Sequence, residues 1–261
     1  MPYLNKSVKI YYERSGIDGD WVTLINGYSR THQDLKNMQK SLVAAGYRVI
    51  ILDNRGCGQS LTINLFQIED LAQDIIDIWQ ENNIDSSHLI GFSMGGMISQ
   101  WISASHPSRI QSLILISTTP DQKWNNSKGI SANAINEIEE DFSHYVSPSF
   151  FERNRLLIKA MAKDFFQKMQ DDHIKNNLLF QRKAIDHFSS LSTISKIDAP
   201  TLIIHGTADR IIPIDAAKAL HHLIEKSELR FVEGKGHLLL AECPQLLKGY
   251  AEKFLNKNKA R

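Results

Sequence analysis

The first half of the chain alternates short apolar runs with longer amphipathic stretches. The apolar runs are bounded by turn-forming residues, which is typical of strands buried on both faces of a parallel sheet. Four such runs are Trp21–Ile25, Val49–Leu52, His88–Ile90 and Ile110–Ile116. Before them, Val8–Glu13 alternates loosely, which predicts an antiparallel edge strand.

The stretches between the apolar runs carry hydrophobic residues at helical spacing. Three helices are predicted there, at Gln33–Ala45, Ile68–Asn82 and Met97–His106. Strands that alternate with helices imply a parallel sheet with right-handed crossovers. The predicted fold class is therefore α/β, with a mostly parallel, doubly wound sheet flanked by helices.

The pattern changes between about residues 121 and 198, where no strand is predicted. Helical stretches lie there near Ala132–Tyr145, Ser149–Gln170 and Ile174–Phe188, with turn residues at Asn125–Gly129. The alternation then resumes with strands Thr201–Ile204 and Leu229–Val232 and helices Asp215–Ile224 and Pro244–Leu255. We therefore predict a core formed by residues 1–120 and 198–261, and a helical cap, residues 121–197, inserted after the sixth core strand.

Composition narrows the classes of function. The 261 residues carry a formal net charge of +1, which gives no electrostatic reason to expect a nucleic-acid or membrane partner. Residues 1–20 lack the apolar segment of a signal peptide, and no window is apolar enough to span a bilayer. Cys57 and Cys243 are expected to be free thiols in a reducing compartment. We expect a cytoplasmic protein that is a monomer or a homodimer.

Candidate chemistry begins at Gly91–Gly96, which follows the apolar run His88–Ile90 and precedes a predicted helix. Gly-x-Ser-x-Gly at a strand-to-helix junction is the nucleophile elbow, in which small residues permit a tight turn that exposes the serine hydroxyl. By itself this short pattern also fits an ordinary turn. Its context decides between the two interpretations.

A serine nucleophile needs a base to accept its proton and an acid to orient that base. Asp209 and His237 each follow a predicted strand end, as Ser93 does, and catalytic groups of such sheets gather at the carboxyl ends of the strands. Each could instead be an ordinary loop residue, but the joint placement predicts a Ser93–His237–Asp209 triad. Asp121, shortly after Ile110–Ile116, remains the alternative acid.

A developing oxyanion requires two backbone N–H donors. We expect one from Met94, the residue after the nucleophile, and one from Tyr28, in the loop after Trp21–Ile25. Tyr28 is also expected to contact substrate, although it could simply pack under the cap. The sequence has no metal-binding or phosphate-binding motif, so we expect neither a metal nor an organic cofactor.

The motifs together resemble the α/β-hydrolase superfamily, in particular the small bacterial serine esterases, enol-lactonases and cofactor-free haloperoxidases. The matching segments are Asn26–Tyr28, Asp53–Ser60, Gly91–Gly96, His205–Pro213 and Gly236–His237. The resemblance implies the α/β-hydrolase fold and the roles given above for the triad and the two amides. This sequence differs from the family pattern at Asn26, where the family usually has histidine. We expect Asn26 to fasten the loop that carries Tyr28 by hydrogen bonds instead.

The activity expected from this site is hydrolysis of a carboxylic ester of a small to medium, partly apolar substrate through an acyl-enzyme. Lactone, thioester or carbon–carbon bond hydrolysis would use the same residues. A ligand-binding receptor that keeps the fold without turnover is a separate possibility. An acidic carrier protein as substrate is disfavoured, because residues 121–198 hold 11 basic and 11 acidic residues and so have no net attraction for it.

Overall fold

The computed structural model describes residues 3–5, 8–127 and 134–259. In this part of the chain a single sheet has the strand order β1-β2-β4-β3-β5-β6-β7-β8. β1 and β2 are antiparallel to their neighbours, and the pairings from β4 to β8 are parallel. The strands are β1 Tyr3–Asn5, β2 Lys9–Ser15, β3 Trp21–Ile25, β4 Arg48–Leu52, β5 Ser87–Phe92, β6 Ile110–Ile116, β7 Thr201–Gly206 and β8 Ser227–Val232.

Helices cover both faces of this sheet. They are α1 Lys36–Ala44, α2 Ile68–Glu81, α3 Met94–Ser105, α4 Ile135–Tyr145, α5 Pro148–Arg153, α6 Arg155–Lys168, α7 Asp172–Asp186, α8 Ile214–Leu223, α9 Leu239–Glu242 and α10 Pro244–Lys257. α2, α3 and α8 pack in one hydrophobic core, and α1 and α10 pack in a second core. The predicted doubly wound α/β architecture is confirmed.

The continuous apolar runs follow from this double coverage. Along β6, Leu113 and Leu115 enter the first core while Ile114 and Ile116 enter the second. Because successive strand residues point to opposite faces, a strand covered on both sides favours apolar residues at successive positions. Each fully buried aliphatic side chain contributes about 1.5–3 kcal/mol of hydrophobic stabilisation.

Helices α4–α7 lie between β6 and β7 and share a hydrophobic cluster of their own, centred on Ile138, Phe142 and Phe165. The predicted helical stretch Ser149–Gln170 is wrong as a single element. It is divided at Asn154, whose φ of −125° and ψ of 29° leave the helical region and whose Nδ2 donates to Phe150 O at 2.9 Å. Residues 128–133, part of the predicted loop and the start of the predicted first helix of this region, lie outside the described residues.

Two buried polar side chains attach α7 to core loops. The Asn177 amide donates to Thr62 O and accepts from Thr62 N, both at 2.9 Å. The Gln181 amide accepts from Ser29 N and donates to Arg55 O, also at 2.9 Å. These bonds fasten α7 to loops that follow β3 and β4 at the carboxyl edge of the sheet. None of the helices in the described ranges is long and apolar enough to cross a membrane.

Candidate active site

Ser93 occupies a strained turn between β5 and α3. Its φ of 51° and ψ of −116° are unfavourable for a residue with a Cβ, and such strain persists only where the surroundings hold it. Its N–H donates to Ile116 O at 2.9 Å, and its carbonyl accepts from Gly96 N at 2.9 Å. Glycine is required at Gly95, because a Cβ there would lie 2.2 Å from Ile25 O. The predicted nucleophile elbow is therefore formed by close backbone contacts.

The structure brings together all three residues predicted for the triad. His237 Nε2 lies 3.0 Å from Ser93 Oγ, and His237 Nδ1 lies 2.8 Å from Asp209 Oδ2. The Ser93 hydroxyl can donate to Nε2 only when the ring proton is on Nδ1. In this tautomer, Nδ1–H donates to the Asp209 carboxylate. The arrangement can therefore move a proton from Ser93 to a base whose orientation is fixed.

The Asp209 carboxylate is itself held by the backbone. Oδ1 accepts from Ile211 N and Ile212 N, each at 2.9 Å, which leaves Oδ2 for His237. Behind it, His205 Nε2 donates to Ile212 O at 2.9 Å. Burial lowers the pKa of His205, which keeps this neighbour neutral beside the triad. Its position next to the acid was not predicted from sequence.

Asp121, the alternative acid, is engaged elsewhere. Its Oδ1 accepts from Lys123 N at 2.8 Å at the start of a short 3₁₀ helix, and its backbone forms a bridge with Ser189. The acceptor of the hydrogen bond from His237 Nδ1–H is Asp209 and not Asp121.

The two amides predicted for an oxyanion hole belong to Met94, which follows Ser93 in the chain, and to Tyr28, which follows Gly27. Met94 is the first residue of α3, so its N–H has no partner in a preceding helical turn. Gly27 approaches so closely that a Cβ there would lie 3.2 Å from Ser93 Cβ. The Gly27 N–H is bonded to Asn26 Oδ1 at 2.9 Å, which leaves Tyr28 as the next amide of this loop. Their donation to a bound oxyanion stays a prediction.

Asn26 fastens the same loop, as expected for a substitute for histidine. Its Nδ2 donates to Thr31 O at 2.9 Å, and its backbone carbonyl oxygen accepts from Asn54 Nδ2 at 2.8 Å. The Tyr28 side chain lines the cavity beside Ser93. Burial raises the pKa of its phenol, so the ring presents a neutral hydroxyl.

A cavity of about 170 Å³ opens onto Ser93 and His237. Most of its wall is apolar and comes from the sheet edge and from the inserted helices. The apolar lining residues include Phe92, Met97, Phe142, Ile185, Ile211, Ile212, Leu238 and Leu239. Such a cavity suits a small ligand with an apolar portion. No group of three or more potential metal-ligating side chains occurs in residues 3–5, 8–127 and 134–259.

The inserted helices contact the loop that carries His237. Leu238 N donates to Tyr145 O at 2.9 Å, and the Tyr145 ring packs edge-on against His237 with centroids 5.8 Å apart. The Glu242 carboxylate accepts from Gly236 N at 2.9 Å and from Ser147 N at 2.8 Å. These connections were missed from sequence, because they join residues far apart in the chain.

A strand–serine–helix elbow at the carboxyl edge of a mostly parallel sheet, with histidine and aspartate hydrogen-bonded in series, defines the class of serine-dependent hydrolases built on an α/β sheet. A sequence model of the α/β hydrolase fold family matches residues 20–244. The chain belongs to this family.

Individual relatives differ in their named activities. The chain is 27% identical to a putative non-heme chloroperoxidase of Synechocystis sp., over 92% of this chain and 94% of the relative. It is 25% identical to 3-oxoadipate enol-lactonase 1 of Acinetobacter baylyi, over 79% and 78% respectively. The structure of MGS-M2, an alpha/beta hydrolase enzyme from a Medee basin deep-sea metagenome library, superposes with a TM-score of 0.87 at 16% identity and covers 99% of this chain and 98% of that one. At 16% identity, the similarity to MGS-M2 shows a shared fold.

Proposed function

We propose that this protein is a serine hydrolase that cleaves a carboxylic ester of a small to medium, partly apolar substrate. The observation that supports it best is the hydrogen-bonded series Ser93–His237–Asp209 at the wall of a largely apolar cavity. A serine hydroxyl at neutral pH becomes a useful nucleophile only when such a base is in place.

In the proposed reaction, Ser93 Oγ attacks the ester carbonyl carbon while His237 Nε2 takes the hydroxyl proton. Asp209 stabilises the imidazolium that forms. The carbonyl oxygen becomes an oxyanion, and the N–H groups of Met94 and Tyr28 donate to it. The tetrahedral intermediate then expels the alcohol, which receives the proton from His237.

The second half of the reaction releases the acid. Water gives a proton to His237 and attacks the acyl carbonyl carbon of the Ser93 ester. Collapse of the second intermediate returns that proton to Ser93 Oγ and frees the carboxylic acid. Proton transfer by a positioned histidine contributes typically 10²–10⁴-fold to such steps.

We infer that residues 121–197 act as a cap that selects the substrate. Phe142 and Ile185 come from this segment, and both line the cavity. Tyr28 contributes an aromatic wall from the core side. The largely apolar wall of this cavity favours a partly apolar acyl or alcohol group.

A lactone is the second candidate substrate, favoured by the likeness to an enol-lactonase. Ring opening would use the same attack and the same oxyanion donors, but the leaving alcohol would stay attached to the acyl group. A thioester or a carbon–carbon bond next to a carbonyl would also fit the triad. Product analysis separates these substrates, since only a lactone gives a single hydroxy acid.

The proposal is tested by rapid mixing with excess 4-nitrophenyl butanoate. We expect a burst of nitrophenol equal to one per active site and an acyl adduct on Ser93 by mass spectrometry. Ser93→Ala should abolish both. Ser103→Ala is the matched control, because Ser103 is a buried serine of α3 that does not line the cavity. An unchanged rate in Ser93→Ala would refute the mechanism, and ligand binding without turnover in the wild type would indicate a receptor.

A further inference from the structure

Ser117, the residue after β6, has a positive φ, as the nucleophile does. Its φ is 49°, close to the 51° of Ser93, and serine gains nothing locally from that conformation. The two residues lie side by side at the sheet edge, since Ser93 N donates to Ile116 O at 2.9 Å. Strained residues of this kind are concentrated at sites that bind a ligand.

The Ser117 hydroxyl differs from those that follow it in sequence. Thr118 Oγ1 donates to Ser93 O at 2.7 Å, and Thr119 Oγ1 donates to Asp121 O at 2.8 Å. Ser117 Oγ is buried and makes no hydrogen bond with any residue that the structure describes. Ser117 as a whole is only 3% exposed. A buried hydroxyl without a partner is costly and is rarely kept without a reason.

Ser117 also belongs to the wall of the cavity that contains Ser93 and His237. The same wall includes the apolar side chains of Phe92, Met97 and Ile212. It also includes polar residues, but among the described lining residues Ser117 Oγ is the one buried side-chain oxygen that has no hydrogen-bond partner.

On the basis of the proposed function, we propose that Ser117 Oγ is a specificity-determining group that hydrogen-bonds an oxygen substituent close to the scissile carbonyl. An ether, keto or hydroxyl oxygen would accept from the Ser117 O–H, and a hydroxyl could also donate to it. An unsubstituted alkyl group would leave the hydroxyl unpaired. Sites that offer a buried hydrogen-bonding group discriminate against analogues that lack the matching atom.

Two pairs of nearly isosteric esters test this proposal. On the acyl side, 4-nitrophenyl methoxyacetate is compared with 4-nitrophenyl butanoate. On the alcohol side, 2-methoxyethyl butanoate is compared with butyl butanoate. For each pair, kcat/KM of the oxygen-containing ester is divided by kcat/KM of the alkyl ester. This ratio is then divided by the same ratio of alkaline hydrolysis rates, so that intrinsic reactivity cancels, and the result is the corrected ratio.

We expect Ser117→Ala to lower the corrected ratio for one pair by about 10-fold relative to wild type, the effect of one buried hydrogen bond. The pair that responds shows which side of the ester faces Ser117. Ser117→Gly removes the same hydroxyl and suits a positive φ, so it should reproduce the change even if the alanine variant folds poorly. Ser103→Ala is the matched control, because Ser103 Oγ is also buried without a partner among the described residues, and its ratios should equal those of wild type.

Ratios in both Ser117 variants that stay within about twofold of wild type for both pairs would overturn the proposal. An equal loss for both members of a pair would overturn it as well, because a purely structural role affects all substrates alike. A different result would refute the proposed function itself, namely hydrolytic activity that is retained in Ser93→Ala.

Discussion

Glu242 connects the inserted helices to the loop that carries His237, and its removal is expected to impair both stability and turnover. The carboxylate accepts from Gly236 N, Ser147 N and Ser147 Oγ at 2.9, 2.8 and 2.5 Å. Gly236 immediately precedes His237, and Ser147 immediately precedes α5. The two backbones touch, since a Cβ on Gly236 would lie 2.7 Å from Ser147 N.

The size of the effect follows from the donors that Glu242→Ala would leave behind. Gly236 and Ser147 are both buried, so their N–H groups would lose their acceptor where water has limited access. Hydrogen bonds to charged groups contribute about 1.5–3 kcal/mol each. Because Glu242 itself is partly exposed, we take the lower value for each of the two amides, which gives a loss of about 3 kcal/mol in the free energy of unfolding.

Turnover should fall because His237 would lose part of its support. We expect kcat of Glu242→Ala to fall by about 10–100-fold with a smaller change in KM, since misplacement of a catalytic group by about an ångström costs rate of this order. Glu242→Gln is the matched control. Its amide oxygen can still accept from both N–H groups, and its NH₂ can donate to Ser147 Oγ, so both stability and kcat should stay near those of wild type.

Urea denaturation followed by fluorescence measures the free energy of unfolding, and steady-state hydrolysis of 4-nitrophenyl butanoate measures kcat and KM. Equal stability and equal kcat in Glu242→Ala and wild type would refute the reasoning. A loss in Glu242→Gln as large as that in Glu242→Ala would show that the negative charge matters, and not the acceptor geometry.

Two further substitutions test other parts of the structure. Asp209→Asn should lower kcat by about 10³–10⁴-fold with little loss of stability, because its amide can accept from Ile211 N and Ile212 N but its NH₂ cannot accept from His237 Nδ1–H; near-wild-type kcat would exclude Asp209 as the orienting acid. His88 is buried, with Nδ1 2.8 Å from Ser112 Oγ and Nε2 3.9 Å from Asp20 Oδ2, and burial lowers its pKa from 6.5 to about 4. The unfolded chain therefore protonates His88 at a higher pH than the folded chain does. The contribution of neutral His88 to the free energy of unfolding is complete above about pH 6.5, and it falls by roughly 3 kcal/mol as the pH drops to about 4. Urea titrations between pH 7 and 4 should show a shallower acid decline in His88→Gln than in wild type, and identical slopes would contradict this account.

The parts of the fold that could be predicted from sequence are those whose pattern is local. β6 was predicted with its observed bounds, because every residue but two in Ile110–Ile116 is aliphatic. The Gly91–Gly96 elbow was predicted because its turn excludes side chains at fixed positions. Ser93, Asp209 and His237 are predicted to meet because each follows a strand end, and parallel strands bring their carboxyl ends to one edge. Asp121 also follows a strand end, so this rule alone does not choose between the two aspartates.

The parts that escaped prediction depend on contacts across the chain. β1 has three residues, too few to show a period. The buried face of α7 includes Asn177 and Gln181, which a hydrophobic pattern assigns to solvent. They are buried because their amides satisfy backbone groups of Thr62, Ser29 and Arg55, and no local rule identifies those partners.

The contacts around Val146 bear on how the inserted helices act. Arg210, which follows Asp209, donates to Ser143 O and, at 3.4 Å, to Val146 O. Leu238, which follows His237, donates to Tyr145 O. The end of α4 is thus bonded to residues adjacent to both the base and its acid. Rigid-body movement of the proposed cap would therefore break hydrogen bonds next to the proposed triad, so changes at these contacts should alter kcat as well as substrate preference.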